Sequence, residues 1–392
     1  MDFNKVLAAY KKCSKGKRHS LDCVRFESQL GKEITSLTND INNRTYYPGE
    51  SRCFVVTKPR PREIWASQFR DRVVHHLIVD HLEPLWEKSL SGRSFACRRG
   101  KGVHAVFKEL KSEVRKISQG GRKTVWALQL DIESFFVTID RIILRDLFLK
   151  RVKDPEIKWL IEKNFEADPR RYYKKCGWRE NFKFIVPHKS WLTRPERQGI
   201  PIGNLTSQFG ANLYLNDLDL YVQKELKPKV YFRYMDDLLL LSDEKENLET
   251  LEAKINNWLQ TYRRQNLNLN KTTLVPLHLG IDYLGFRFQQ ISDPKDPLII
   301  LPQRKKKWDL VREIRKLNNH NWEAQDFPHE LSFPLNNHHR KKIQKINSRL
   351  ALLGHSLSFD FREKTLNNFK EDCLGGVLLK YSQDLKSVKY NG

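Results

Sequence analysis

The sequence predicts an α+β fold in which short β-hairpins alternate with amphipathic helices. Three stretches carry that prediction. Val230–Tyr234 and residues 238–241 are apolar runs of strand length, joined through Met235, Asp236 and Asp237, the pattern of a hairpin buried along most of its length. Residues 54–65 read as strand, basic turn, strand, and their prolines keep the turn out of any helix. Residues 69–86 have helical spacing, with Val73, Val74, Leu77, Ile78 and Leu82 on the apolar face.

Composition narrows the function classes. The chain has 392 residues, 39% hydrophobic and 11% aromatic, enough for a folded protein with more than one subdomain. Its formal net charge of +24 calls for a polyanionic partner, nucleic acid before any other. Anionic membrane is the competing partner, but neither a signal peptide nor an apolar run near 18 residues is seen, so the expectation is a cytoplasmic protein without a membrane partner. The six cysteines are scattered with no CxxC pair, which fits reduced thiols better than disulfides or zinc. His75, His76 and His81 lack partners at ligand spacing and read as structural or helix-surface residues.

In chain order, residues 1–45 form a basic helical extension around a Ser-Lys-Gly-Lys loop. Lys58, Arg60 and Arg62 in the following turn are suited equally to holding a triphosphate and to solvating a hairpin tip. Residues 95–104 are a glycine-punctuated basic loop opening a helix, a form able to cradle phosphate. Residues 124–130 make a strand that runs into Asp131, and a helix follows from near Asp140. Residues 168–197 are cationic and aromatic with no period; as a long loop they are suited to stacking single-stranded bases or to plain solvation. Residues 198–208 then lead into a helix over 209–226, and their glycines permit close backbone approach to a ligand.

Chemistry concentrates in the acids. Asp236 and Asp237 stand between strongly apolar strands, and an ionised carboxylate buried there is costly unless paired or metal-bound. Two such charges about 4 Å apart repel by roughly 4 kcal/mol at an effective dielectric near 20. A divalent cation held by oxygen ligands reverses that penalty. Asp131, at the end of a buried strand, is placed to supply a third carboxylate, or else to cap a helix. Glu133 and Asp140 read as solvent-facing or capping groups, and Phe135 as core.

Five segments in this order resemble the reverse transcriptases: residues 131–136, Asp-Ile-Glu-Ser-Phe-Phe; 202–208, Ile-Gly-Asn-Leu-Thr-Ser-Gln; 234–237, Tyr-Met-Asp-Asp; 268–271, Asn-Leu-Asn-Lys; and 283–287, Tyr-Leu-Gly-Phe-Arg. Ile202-Gly203 with Ser207-Gln208 is similar to the form found in diversity-generating retroelement enzymes, a bacterial or phage branch of the group II intron-like superfamily. The long 168–197 segment and Val137-Thr138 depart from that branch.

The resemblance implies a right-hand polymerase: an N-terminal basic extension over 1–53, fingers and an antiparallel palm over 54–300, and a helical thumb over 301–392 that grips phosphates. It implies an RNA-directed DNA polymerase working on template RNA, a DNA or RNA primer and dNTPs, with a small accessory protein or a second copy as further partners. Two Mg²⁺ ions, replaceable by Mn²⁺, would lie on Asp131, Asp236 and Asp237, with Ile132 beside them. Lys58, Arg60, Arg62, Phe136, Ile202, Gly203, Gln208 and Met235 would meet the nucleotide, Phe136 as a steric gate against a 2′-hydroxyl. Lys271 would protonate pyrophosphate. Antiphage defence is the rival biological role; a non-catalytic nucleic-acid-binding scaffold is the rival class.

Overall fold

The computed structural model describes residues 1–58, 60–303 and 312, and two short strands nearer the C-terminus. In chain order the elements are α1 (Phe3–Ser14), α2 (Leu21–Glu27), α3 (Leu30–Asn42), β1 (Ser51–Val56), β2 (Arg62–Ala66), α4 (Phe69–Trp86), α5 (Val103–Ile117) and β3 (Trp126–Asp131). Then come α6 (Phe135–Thr138), α7 (Arg141–Leu149), α8 (Pro155–Glu166), β4 (Tyr173–Lys175), α9 (Leu205–Tyr221), β5 (Val230–Tyr234) and β6 (Asp237–Ser242). The remainder are α10 (Glu246–Glu249), α11 (Leu251–Arg263), β7 (Thr273–Pro276), β8 (Ile281–Tyr283), β9 (Phe286–Gln290), β10 (Leu298–Pro302), β11 (Leu379–Tyr381) and β12 (Val388–Tyr390). Mixed helices and largely antiparallel strands bear out the α+β expectation.

One compact unit comprises Met1–Arg99, Leu128–Leu240 and Glu246–Thr273. Its axis is α4, which buries Val73, Val74, Leu77, Ile78 and Leu82 as the periodicity predicts. His75, on the same helix, is buried, and desolvation pushes its pKa down to about 3, so it is a neutral core residue. The basic extension is part of this unit, with α1 packed on α4. A three-stranded sheet in the order β2-β1-β4 pairs β1 antiparallel to β2, Phe54 opposite Ile64, and parallel to β4, Cys53 opposite Lys175. The 168–197 segment is therefore not loop throughout; Tyr173–Lys175 joins the edge of β1. Strands β5, β6 and β3 lie side by side in that order.

The helix expected over 209–226 starts four residues earlier, at Leu205. Asn204 takes the cap position in extended conformation, but its side chain is spent on Ser67, whose Oγ accepts from Nδ2 at 2.9 Å. Ser207 and Gln208 thus sit in the first turn, and the last turn, Val222–Leu226, widens to a π-helix.

The second unit comprises Gly100–Ala127, Leu241–Lys245 and Leu274–Gly392. Helix α5 covers an antiparallel sheet in the order β10-β9-β8 through Phe107, which meets Phe286 and Phe288 edge-on at 4.7 and 5.4 Å. Leu284 and Gly285 turn β8 into β9 with φ of 51° and 77°, the positive pair that a tight two-residue hairpin demands. Beyond Gln303, most of the expected helical thumb, including the cationic run 304–307, lies outside the described residues. Within it, β11 pairs antiparallel with β12, so that region is not helical throughout.

Candidate polymerase site

The acidic turn is held from beneath by a buried ion pair that the sequence reading missed. Met235 and Asp236 connect β5 to β6, a connection short enough only for an antiparallel hairpin. Met235 has φ of 57°, a left-handed conformation that costs a non-glycine residue of order 1–3 kcal/mol. Arg233, two residues earlier and fully buried, donates from Nη1 to the Met235 carbonyl at 3.0 Å. Its Nε and Nη2 donate to the two oxygens of Asp219 on α9 at 2.6 and 2.7 Å, and Tyr231 donates to the same carboxylate at 2.7 Å. Nη2 also donates to Ser94 Oγ at 3.0 Å. Its one sequence signal is an arginine in the midst of the apolar run Val-Tyr-Phe-Arg-Tyr.

Asp131 ends β3, and the backbone ties it to the turn. Ile132 N donates to the Asp236 carbonyl at 3.3 Å, and Asn268 N donates to the Asp131 carbonyl at 2.7 Å. Ile132 itself is buried at 1% exposure. Burial pushes the Asp236 carboxyl up to about 6, with the charge of Asp131 as the next cause. Burial also raises Asp237 to about 7, reinforced by Asp236 and by Asp131, with which it shares a hydrogen bond. Arg62 and Lys271 pull Asp236 the other way, so the hairpin cation and the turn acids lie within electrostatic reach. Lys271 Nζ is 2.6 Å from Asp131 Oδ2.

These donors are hard carboxylate oxygens carrying more negative charge than their surroundings offset. That chemistry fits a divalent ion such as Mg²⁺. Among the described residues, however, no three His, Cys, Asp or Glu side chains are arranged to hold a metal ion. The positive charge nearest Asp131 is the Lys271 ammonium.

The other expected nucleotide residues differ in their local surroundings. Lys58 and Arg60 are exposed on the turn between β1 and β2. Gly203 has φ of 120°, and a Cβ there would meet Ile64 Cγ2 at 3.2 Å, so the glycine is required by backbone conformation and close approach. Beside it, the Ile202 carbonyl accepts from Trp65 N at 3.0 Å, stitching this loop to β2. Phe136 is half-buried, edge-on to the buried Phe135 at 5.3 Å. Asp140 caps α7 as expected, accepting from Ile142 N and Ile143 N, and also binds Arg197 and Arg264. Glu133 is exposed.

Buried strands ending in clustered acids, with a cationic hairpin alongside, are the arrangement of a polymerase palm and fingers. Residues 56–288 match the reverse transcriptase (RNA-dependent DNA polymerase) family. The chain belongs to that family. It is similar to protein YkfC of Escherichia coli (strain K12), 22% identical over 295 residues that cover 67% of this chain and 72% of the relative. It is also similar to the group II intron-encoded protein LtrA of Lactococcus lactis subsp. cremoris, 26% identical over 194 residues, 49% of this chain but 28% of that protein. A third relative is the mitochondrial nuclear intron maturase 1 of Arabidopsis thaliana, 27% identical over 123 residues, 31% of this chain and 16% of the relative. No helix among the described residues is long and apolar enough to cross a membrane.

Proposed function

We propose that this protein is an active RNA-directed DNA polymerase, copying an RNA template into cDNA with low fidelity in the service of a diversity-generating retroelement. The observation that carries the catalytic part is the cluster of Asp131, Asp236 and Asp237, two of them raised by burial and mutual charge. A fold that only bound RNA would gain nothing from gathering acids inside a chain of net charge +24. Asp131, Asp236 and Asp237, with Ile132 beside them, would hold two Mg²⁺ ions. Bound there, the ions supply Lewis acidity to the attacking and leaving oxygens. Lys58, Arg60 and Arg62 neutralise the triphosphate, and Phe136 excludes a 2′-hydroxyl. Ile202, Gly203, Gln208 and Met235 shape the nucleotide pocket, and Lys271 delivers a proton to pyrophosphate. Residues 54–300 act as fingers and palm, and 301–392 as thumb.

The retroelement role is supported by Ile202-Gly203 and Ser207-Gln208. A second reading, RNA binding without catalysis, is favoured by the maturase among the relatives. One experiment separates them. Purified protein with a defined RNA template, a primer, dNTPs and Mg²⁺ is expected to make cDNA, and Asp131→Asn or Asp236→Asn to abolish synthesis while retaining RNA binding. Near-normal synthesis by either variant overturns the site assignment, and no synthesis by the wild type favours the binding reading.

A further inference from the structure

Residues 168–197 carry nine Lys and Arg against three Asp and Glu, and both ends of the segment are fixed. Arg170 pairs with Asp168 in a buried bridge of 2.6 Å, and its Nη1 donates to the carbonyl of Arg194 at 2.6 Å. Trp191 is buried with Cys53, Trp65 and Val137, edge-on to Trp65 at 5.2 Å, and its indole N–H donates to the Gln198 carbonyl at 2.7 Å. Ser190 donates to the buried Glu63 carboxylate at 2.7 Å.

Between those anchors Tyr173 and Phe182 pack against the same buried cluster, and two other rings are left exposed. Trp178 is 80% exposed and Phe184 60%. A segment that buries Trp191 completely has no packing reason to leave Trp178 in water, and wetting so large a ring is costly. The acids here are already used, Asp168 by Arg170, Glu180 by Lys183 at 2.6 Å and Glu196 by Arg171 at 2.7 Å. Lys174, Arg179 and Lys189 are exposed, with no acidic partner among the described residues. Exposed rings interleaved with unneutralised cations complement one ligand chemistry: a phosphate backbone whose base faces are free.

We propose that this segment is a docking platform for single-stranded nucleic acid, with bases stacked on Trp178 and Phe184 and phosphates on Lys174, Arg179 and Lys189. A duplex hides the base faces and meets only the cations. An acidic protein would satisfy the cations and has no need of the rings. The platform rests on the nucleic-acid reading above but not on catalysis, and it serves the unpaired strand outside the duplex.

The test uses the full chain and fluorescent oligonucleotides: single-stranded RNA, single-stranded DNA, and a blunt RNA–DNA duplex. Trp178→Ala is expected to weaken single-strand binding by about 5- to 150-fold, the range for one lost stacking partner, and Trp178→Ala/Phe184→Ala to weaken it further. Duplex binding and dNTP incorporation on a primer with a short overhang are expected to stay unchanged. Lys174→Gln/Lys189→Gln should lower the salt slope by about 0.7 per lost contact. Preference for RNA over DNA would identify the docked strand as template; equal binding would make the platform general. Unchanged single-strand affinity, as an acidic-protein face predicts, or equal losses on the blunt duplex overturn the proposal. If the wild type incorporates dNTPs normally while the ring variants bind as it does, this inference alone fails; if the wild type neither binds RNA nor polymerises, the polymerase reading fails with it.

Discussion

Replacing Asp219 by alanine tests how the acidic turn is supported. Asp219 and Arg233 are both fully buried, and the carboxylate accepts three hydrogen bonds, from Arg233 Nε, Arg233 Nη2 and Tyr231. Removing it leaves a guanidinium charge in the core without its counterion, which costs about 3–5 kcal/mol. That is a large share of the roughly 5–15 kcal/mol that holds a typical domain together. Urea unfolding should therefore move to a much lower midpoint. Replacing both partners by apolar residues, Asp219→Leu/Arg233→Met, removes the buried charge and should restore most of the loss. Catalysis should not follow stability. In the double variant the Met235 carbonyl has lost its 3.0 Å donor, so the strained turn is free to relax and dNTP incorporation should stay low. An Asp219→Ala protein within about 1 kcal/mol of wild type would refute the buried-pair argument, and full incorporation by the double variant would refute the role assigned to Arg233.

Further outcomes follow from the same geometry. Asp236 and Asp237 have raised pKa values, so their ionised forms are penalised in the fold. Their contribution to stability is complete below the ordinary Asp range and is lost as pH rises through about 6 and about 7. Mg²⁺ would offset that loss, so its gain in Tm should be larger at pH 8 than at pH 5.5 and vanish in Asp236→Asn; an equal gain at both pH values would place the ion elsewhere. Under the nucleotide role proposed for Ile202, Ile202→Gln supplies an amide able to test base-pair alignment, whereas differences in apolar contact discriminate by only about 1–3 kcal/mol. Sequenced cDNA should then show fewer misincorporations, above all opposite template adenine, where the resemblance to retroelement enzymes implies the errors fall, and a wild type already accurate at adenine would remove the retroelement role in favour of antiphage defence. Neutralising Arg304, Lys305, Lys306 and Lys307 together should weaken template–primer binding and lower the salt slope by about 0.7 to 0.9 per lost phosphate contact. An unchanged slope would make that run a solvated face.

By itself the sequence determined what local pattern and composition control. Helix α4 matched its expected bounds and apolar face, because an eighteen-residue periodic run needs no distant partner to declare itself. The β5–β6 hairpin and β3 were legible to within two residues at their ends, where apolar runs are interrupted by acids. Net charge pointed to a polyanion before any fold was known. Tertiary structure decided the rest. Asp219 and Arg233 lie fourteen residues apart on different elements, and no local signal pairs an arginine with an acid across a core. Lys271 reaches Asp131 over a separation of 140 residues. Residues 173–175 became a strand only because β1 offered an open edge, since a three-residue strand has too few side chains to show a period. Asn204, at the cap position of α9, bonds Ser67 instead of capping the helix, a partner 137 residues away. Periodicity is written along the chain; charge pairing and strand pairing exist only after the chain has returned upon itself.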